Sequence, residues 1–185
     1  MNHNHNPVNY SFWFILISLA LAPVGADDLA PPGGSGDDSI LLGESSAITD
    51  FIIADVSGWN LNPREGVNTY TSVLNVKSDG NWELSVKDPD QLNTNGHMAE
   101  WDGSGYVASN RLASPMSVSV QFGEIVSNAY EVTLPSGGVI ARGTGTGSSG
   151  KDLVVIFKQP VARTDKATPG SHNYRMKIEF TLSPS

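Results

Sequence analysis

The stretch Leu74–Val86 reads LNVKSDGNWELSV, and its alternation of apolar and polar residues decides the fold class. Because successive side chains of a β-strand point to opposite faces, each half of the stretch presents one apolar face. Asp79-Gly80 lies between the two halves, and this dipeptide suits a type I′ turn, in which both central residues have positive φ. The stretch therefore predicts a β-hairpin with Trp82 at the start of its second strand.

Trp82 fixes the register of this predicted hairpin. A shift by one residue would turn the indole toward water and bring Glu83 into the core. Burial of one such indole stabilises a fold by about 2–3 kcal/mol, so the register is strongly specified. We therefore predict that Trp82 is a core anchor and not a ligand platform.

Most of the chain after residue 40 repeats this strand pattern. No apolar stripe continues at helical spacing for a dozen residues. The runs that predict further strands are Ile40–Leu42, Phe51–Ile53, Val56–Leu61, Ser117–Phe122, Tyr130–Leu134, Leu153–Phe157 and Tyr174–Leu182. Leu153–Phe157 is apolar on both faces, as suits a central strand. The sequence predicts an all-β fold, a single immunoglobulin-like β-sandwich of about seven to nine strands over residues 40–185.

The first 26 residues have the pattern of an export signal. Phe12–Leu21 is an apolar run shorter than the roughly 20 residues that span a bilayer, and Val24–Ala26 (VGA) supplies the small residues that a signal peptidase reads. No Lys or Arg precedes Arg64, so an uncleaved membrane anchor is the alternative. We expect cleavage after Ala26 and a secreted or cell-surface location, with an acidic Pro/Gly/Ser linker over residues 27–39.

Composition and charge exclude several classes of function. The chain of 185 residues has no cysteine, which excludes disulfides, thiolate catalysis and zinc–cysteine sites. Its formal net charge of −8 disfavours nucleic acid as a partner. Residues 142–185, by contrast, carry seven basic and three acidic residues. We expect the acidic leading part of one molecule to meet the basic end of another, although ordinary solvated strands explain the same pattern.

No motif of the chain points to catalysis. His97 lies in a polar loop with Glu100 and Asp102 nearby, where an acid–base pair or a metal site is an alternative to solvated loop residues. Asp88–Asp90 offers two carboxylates to calcium but lacks the further ligands and the glycine of an EF-hand loop. Gly143–Gly150 (GTGTGSSG) leads into a strand and not a helix, and no Lys-Ser/Thr pair follows at Walker spacing, so a flexible loop is expected. We predict no catalytic, cofactor-binding or metal-binding residue.

A resemblance supports a place at the cell surface. The chain resembles small secreted β-sandwich proteins of archaeal and bacterial cell surfaces in the series Trp59–Leu61, Gly66–Tyr70, Leu74–Val86, Val154–Val161 and Asn173–Ser183. The Trp-x-Leu triplets at Trp59 and Trp82 are similar to those of Gram-positive wall-binding domains, but both lie in the first half of the domain here. The resemblance implies one immunoglobulin-like domain behind a signal peptide, and it transfers no binding residue.

Two classes of function stay open on the sequence alone. The first is a non-catalytic structural component of the cell surface or envelope, which self-associates through its leading apolar segments. The second is a binding module, or adhesin, for carbohydrate or another surface protein. Its candidate ligand-contact residues are Trp101 and Tyr106 in the stretch EWDGSGY, because exposed aromatic side chains stack on sugars. This second interpretation requires an accessible Trp101.

Overall fold

The computed structural model describes residues 48–53 and 59–185. Within these ranges the fold is all-β, with several antiparallel sheets and no α-helix. No helix in the described part of the chain has the length and apolar character to cross a membrane. The predicted export signal, the acidic linker and the strand Ile40–Leu42 lie outside the described residues.

Twelve strands follow one another in the described ranges, more than the seven to nine predicted. They are β1 (Ile48–Ile53), β2 (Val67–Ser78), β3 (Trp82–Lys87), β4 (Ala99–Trp101), β5 (Tyr106–Arg111), β6 (Ser117–Val120), β7 (Val126–Ala129), β8 (Val132–Thr133), β9 (Gly138–Gly143), β10 (Lys151–Pro160), β11 (Asn173–Arg175) and β12 (Glu179–Pro184). A five-stranded sheet has the order β1-β2-β10-β6-β8, and a four-stranded sheet has the order β12-β3-β9-β7. A small sheet has the order β11-β4-β5.

The five-stranded and four-stranded sheets contribute to one hydrophobic core. Phe157 on β10 contacts Phe180 on β12 edge to face, with the ring centroids 6.2 Å apart. Trp82 is 0 % exposed, which confirms its prediction as a core anchor. β10 pairs with β2 on one side and β6 on the other, so the prediction of a central strand at Leu153–Phe157 is also confirmed.

The predicted hairpin at Leu74–Val86 is wrong. β2 pairs with β1 and β10, whereas β3 pairs with β9 and β12, so the two strands lie in different sheets. Neither Asp79 nor Gly80 has a positive φ, and the type I′ turn is therefore absent. The alternation correctly identifies the side chains that face the core. It does not determine whether the second strand pairs beside the first or crosses to the other sheet.

The glycine-rich stretch Gly143–Gly150 supplies the contacts that a hairpin partner would have made. The carbonyl of Ser78, at the end of β2, accepts hydrogen bonds from the N–H groups of Thr146 and Gly147 at 2.7 and 3.1 Å. The N–H of Ser78 donates to Oγ1 of Thr146 at 2.9 Å. The indole N–H of Trp82 donates to the carbonyl of Thr144 at 2.7 Å. The expected flexible loop is thus held against the crossing between the sheets.

The predicted last strand, Tyr174–Leu182, is interrupted. Its first residues belong to β11 of the small sheet, and its last residues belong to β12 of the four-stranded sheet. Tyr174, Met176, Ile178 and Phe180 are all buried, so the alternation again identifies the core side chains. The sequence pattern does not show that the strand changes sheets.

Three other predicted strands differ from the structure at their ends. Trp59 and Leu61 are both buried on one side, as predicted, but they lie outside any strand. The predicted strand Ser117–Phe122 ends two residues early, at Val120, and Phe122 beyond its end is 68 % exposed. The stretch Tyr130–Leu134 forms only the two-residue strand β8. These errors lie where alternation continues into a loop.

Gly143 should be the most sensitive glycine of the Trp82 environment. A Cβ atom at this position would lie 2.1 Å from Cζ2 of Trp82 and 2.2 Å from the carbonyl oxygen of Ile125. Because a core indole and a backbone carbonyl do not move freely, Gly143→Ala should lower the free energy of unfolding by about 1–3 kcal/mol. Gly123→Ala is the matched control, since no atom lies within 4 Å of its added Cβ. Equal urea midpoints for the two variants would contradict the packing of Trp82 on Gly143.

Candidate ligand-binding face of the small sheet

The stretch EWDGSGY, which contains both candidate ligand-contact residues, forms a β-hairpin. β4 and β5 pair antiparallel, and Asp102–Gly105 connects them. One carboxylate oxygen of Asp102 accepts hydrogen bonds from the N–H groups of Ser104 and Gly105 at 2.7 and 2.8 Å. These bonds lower the pKa of Asp102 to about 2. A φ of +104° at Gly103 completes the turn.

One face of the small sheet collects aromatic and cationic side chains. In the first row of paired residues, Trp101 on β4 lies opposite Tyr106 on β5 and Asn173 on β11. Two residues back along β4, Ala99 lies opposite Arg111 and Arg175, and the β4–β5 pairing has a register shift between the two rows. Directly opposed residues, and residues two apart on a strand, share a face of a sheet. We call this surface the Trp101 face; it consists of Trp101, Tyr106, Arg111, Asn173 and Arg175.

Trp101 is half-buried by its neighbours on this face. The ring of Tyr106 packs edge-on against the indole, with centroids 5.1 Å apart and an interplanar angle of 78°. The guanidinium carbon of Arg175 lies 4.5 Å from the centroid of the Trp101 ring, in a cation–π contact. The structure thus brings both candidate residues together. It covers one side of the indole with Arg175, so this side is not a free platform for a sugar ring.

Four buried polar atoms on the Trp101 face have no hydrogen-bond partner among the described residues. They are Oη of Tyr106, Nε of Arg111, Oδ1 of Asn173 and Nε of Arg175. Within the described ranges, the one other buried side-chain atom without a hydrogen-bond partner is Oε1 of Gln159. A buried polar group without a partner costs about 1–3 kcal/mol, so this concentration on one face is unusual.

Tyr106 keeps its hydroxyl proton at neutral pH. Burial raises the pKa of Tyr106 to about 12, against the opposing effect of the nearby Arg175. The carboxylates of Asp90 and Asp88 raise the pKa further. The hydroxyl can therefore both donate and accept a hydrogen bond on the Trp101 face.

The loop Asp88–Gly96 borders this face. The carbonyl of Leu92 accepts a hydrogen bond from Nη2 of Arg111 at 3.1 Å. The buried carboxylate of Asp88 organises the loop: it accepts from the N–H of Asp90 at 2.8 Å, and from Oγ1 of Thr94 and the N–H of Gly96 at 2.7 Å each. Asp88 is thus a turn-forming carboxylate. Among residues 48–53 and 59–185, no group of three or more His, Asp or Glu side chains is arranged to hold a metal ion.

The opposite side of β4 holds a buried carboxylate that joins the three strands. Glu100 accepts hydrogen bonds from Nδ1 of His172 and Nδ2 of Asn110, each at 2.5 Å. Burial raises the pKa of Glu100, but these two hydrogen bonds outweigh burial, and the pKa lies below its usual value. The hydroxyl of Tyr174 donates to the carbonyl of Lys166 at 2.6 Å and lies 3.0 Å from Oδ1 of Asn110. This polar network supports the Trp101 face from behind.

The histidine that meets Glu100 is not the one that the sequence suggested. Glu100 pairs with His172, which follows it by 72 positions. His97 is half-buried, and its Nδ1 bonds to the carbonyl of Leu112 at 2.9 Å, so it is not a solvated loop residue. Local spacing cannot reveal a pair so distant in the chain.

Sequence reasoning also missed Arg111, Asn173 and Arg175. The alternation around Tyr174 placed Arg175 on the outer side of a strand, but only the pairing of β11 with β4 brings it to Trp101. No protein-family model matches this chain, and no curated protein matches it.

The Glu100 network should make stability depend on pH. Because the pKa of folded Glu100 is lowered, the carboxylate stabilises the fold above the unfolded pKa of about 4.3, and this contribution is lost as pH falls through the folded pKa. Glu100→Gln should lower the free energy of unfolding at pH 7 by about 1–3 kcal/mol and flatten its decrease below pH 5. Urea unfolding from pH 7 to pH 3 measures both effects. Glu124→Gln, at an exposed carboxylate, is the control; parallel curves for both variants would refute this role.

Proposed function

We propose that this protein is an exported, non-catalytic surface module that binds carbohydrate on the Trp101 face. The observation that carries the proposal is the group of four buried polar atoms that lack partners on this one face. Folded proteins pair nearly all such atoms, so their concentration on one face leaves donors and acceptors that a ligand could satisfy. All four belong to side chains that are only partly buried, and a modest rearrangement of Arg175 would open the face.

The size and chemistry of the face favour a sugar over a protein partner. A stable protein interface involves roughly 20–30 residues on each side. The Trp101 face offers five, which suits a ligand of one or two sugar units. Its aromatic rings provide apolar surface, while the Tyr106 hydroxyl and the side-chain amide oxygen Oδ1 of Asn173 can form hydrogen bonds with sugar hydroxyls.

The supporting scaffold is inferred to be an immunoglobulin-like sandwich of the two larger sheets. Their common core and the contact between Phe157 and Phe180 support a face-to-face arrangement. β4 and β5 come between β3 and β6 in the chain, and β11 comes between β10 and β12. The small sheet is then an addition to the sandwich, and a rigid scaffold would position its binding residues.

The acid–base chemistry of the site supports binding and not turnover. Glu100 and His172 form a carboxylate–histidine pair, which in a hydrolase activates a third, nucleophilic group. No hydroxyl of the described residues is hydrogen-bonded to the ring of His172. Glu100 also bonds to Asn110, so its surroundings suit a structural role.

Export and a surface location are inferred from the N-terminal sequence. The apolar run Phe12–Leu21, followed by Val24–Ala26, supports cleavage before Asp27. After cleavage the protein would not be held in the membrane, whereas an uncleaved signal segment would anchor it there. The resemblance to secreted surface domains supports the same location.

Binding of the mature chain, residues 27–185, to an array of neutral and acidic oligosaccharides tests the proposal. The protein should bind at least one class of saccharide, and Trp101→Ala should weaken that binding at least tenfold, since the ring organises Tyr106 and Arg175. Phe122→Ala is the matched control, because Phe122 is an exposed aromatic residue outside the Trp101 face. Thermal unfolding checks that both variants fold. Absence of saccharide binding, or equal loss in both variants, would overturn the proposal.

The position of β1 favours self-association as a second candidate function. β1 pairs antiparallel with β2 at the edge of the five-stranded sheet, with Ile53 opposite Leu74 and Ile48 opposite Ser78. Strand addition of this kind relies on backbone hydrogen bonds, so the same segment could add to β2 of a second copy. Repeated from copy to copy, such an exchange builds an open assembly that suits a structural surface protein.

Sedimentation velocity over a range of protein and salt concentrations tests the second candidate. The mature chain should form assemblies that grow with concentration, and high salt should slow their formation, because it screens the attraction between the acidic leading part and the basic end. Deletion of residues 27–55 should prevent assembly, with circular dichroism as the check of folding. A mature chain that stays monomeric under all conditions would exclude this function.

A further inference from the structure

We propose that the saccharide bound on the Trp101 face carries a carboxylate, as a uronic acid does, and that Arg111 and Arg175 bind this group. The inference rests on the proposed carbohydrate binding. It adds the charge of the ligand and the residues that select it.

The two arginines stand on either side of a small residue. Arg111 and Arg175 are both paired with Ala99, one from each neighbouring strand. Since adjacent strands lie about 4.8 Å apart, the two Cα atoms are separated by roughly 10 Å. Ala99 itself is buried, with 1 % of its surface exposed, so an anionic group would lie over the two long side chains that flank it and not against its methyl group. Two guanidinium groups are within reach of an anion in that position.

Neither arginine has a carboxylate partner among the described residues. Arg111 donates one hydrogen bond, to the carbonyl of Leu92, and Arg175 stacks on Trp101. Other basic residues of the described ranges do form ion pairs, namely Lys87 with Glu179, Arg142 with Glu83 and Lys158 with Glu131. Arg64 and Arg163 also lack an ion pair within the described ranges, but they are exposed, whereas Arg111 and Arg175 each have a buried Nε without a partner. A carboxylate would neutralise them and accept paired hydrogen bonds from each fork.

The acidic residues near the face do not take this role. The carboxylate of Asp88 already accepts three hydrogen bonds within its own loop. The carboxylate of Asp90 accepts a hydrogen bond from Nδ2 of Asn93 at 2.8 Å. Both groups shape the loop beside the face, and neither forms an ion pair with Arg111 or Arg175 in the described part of the chain.

A sugar acid fits the face better than a small inorganic anion. The edge-to-face pair of Trp101 and Tyr106 gives apolar surface that an inorganic anion cannot use. The unpartnered Tyr106 hydroxyl and Asn173 oxygen complement sugar hydroxyls. If Arg175 turns from Trp101 toward a carboxylate, one side of the indole becomes free for the sugar ring. A single acidic sugar unit would thus use all five residues.

Calorimetric titration with oligogalacturonate and with its methyl ester tests the inference. The two probes have the same length and ring, but the ester carries no charge. The mature protein should bind the acid at least tenfold more tightly, and Arg175→Gln and Arg111→Gln should each weaken binding of the acid about tenfold without weakening that of the ester. Arg64→Gln, at an exposed arginine outside the Trp101 face, should bind as the unchanged protein does.

The outcomes separate this inference from the function on which it rests. Equal affinity for acid and ester, lost in Trp101→Ala but retained in Arg175→Gln, would overturn the carboxylate inference and leave carbohydrate binding intact. If the protein bound neither probe but bound neutral sugars on the array in a Trp101-dependent way, the carboxylate inference would also be overturned and carbohydrate binding would stand. Weaker binding of the acid by Arg175→Gln, with the ester bound at least as tightly as by the unchanged protein, would support the inference.

Discussion

The packing of the Trp82 indole against Gly143 is the contact on which the rest of the fold depends. The indole is fully buried, its N–H bonds to the carbonyl of Thr144, and the missing side chain at Gly143 leaves room for its ring. β3 is thereby fixed beside β9, and the end of β2 is left to bond Thr146. The chain consequently crosses from one large sheet to the other at Asp79-Gly80. A glycine-rich segment that resembles a flexible loop in the sequence is a structural part of the core.

The small sheet depends on a second constraint, the burial of Glu100. A carboxylate inside a protein is stable only when donors surround it. Here the donors come from His172 before β11 and from Asn110 on β5, so the charge joins both outer strands to β4. Because side chains alternate along β4, the residues on either side of Glu100 face the other way. The polar network on one side of the sheet thereby sets the positions of Trp101, Arg111 and Arg175 on the other.

Alternation predicted which residues are buried far better than it predicted which strands pair. Leu74, Trp82, Tyr174 and Phe180 all face the core, because burial of apolar side chains follows directly from the period of a strand. Pairing depends on contacts between distant residues. The hydrogen bonds between Thr146 and Ser78 take the place of a hairpin turn after β2, and the pairing of β11 with β4 forms the Trp101 face. Trp101 and Tyr106 could be chosen from the sequence because aromatic residues next to glycines stand out, whereas Arg111 and Arg175 became neighbours only through the register.

The contact between Arg175 and Trp101 would give the proposed carbohydrate-binding face a basis for selecting its ligand. A cation–π contact contributes about 0.5–2 kcal/mol, and a ligand that needs the covered side of the indole must first break it. A neutral sugar gives Arg175 only weak hydrogen bonds in return. A carboxylate gives charge-assisted bonds of about 1.5–3 kcal/mol, enough to compensate for the lost contact. The arginine that covers the aromatic ring would then favour acidic over neutral sugars, because it is released only by a group that binds it more strongly than Trp101 does.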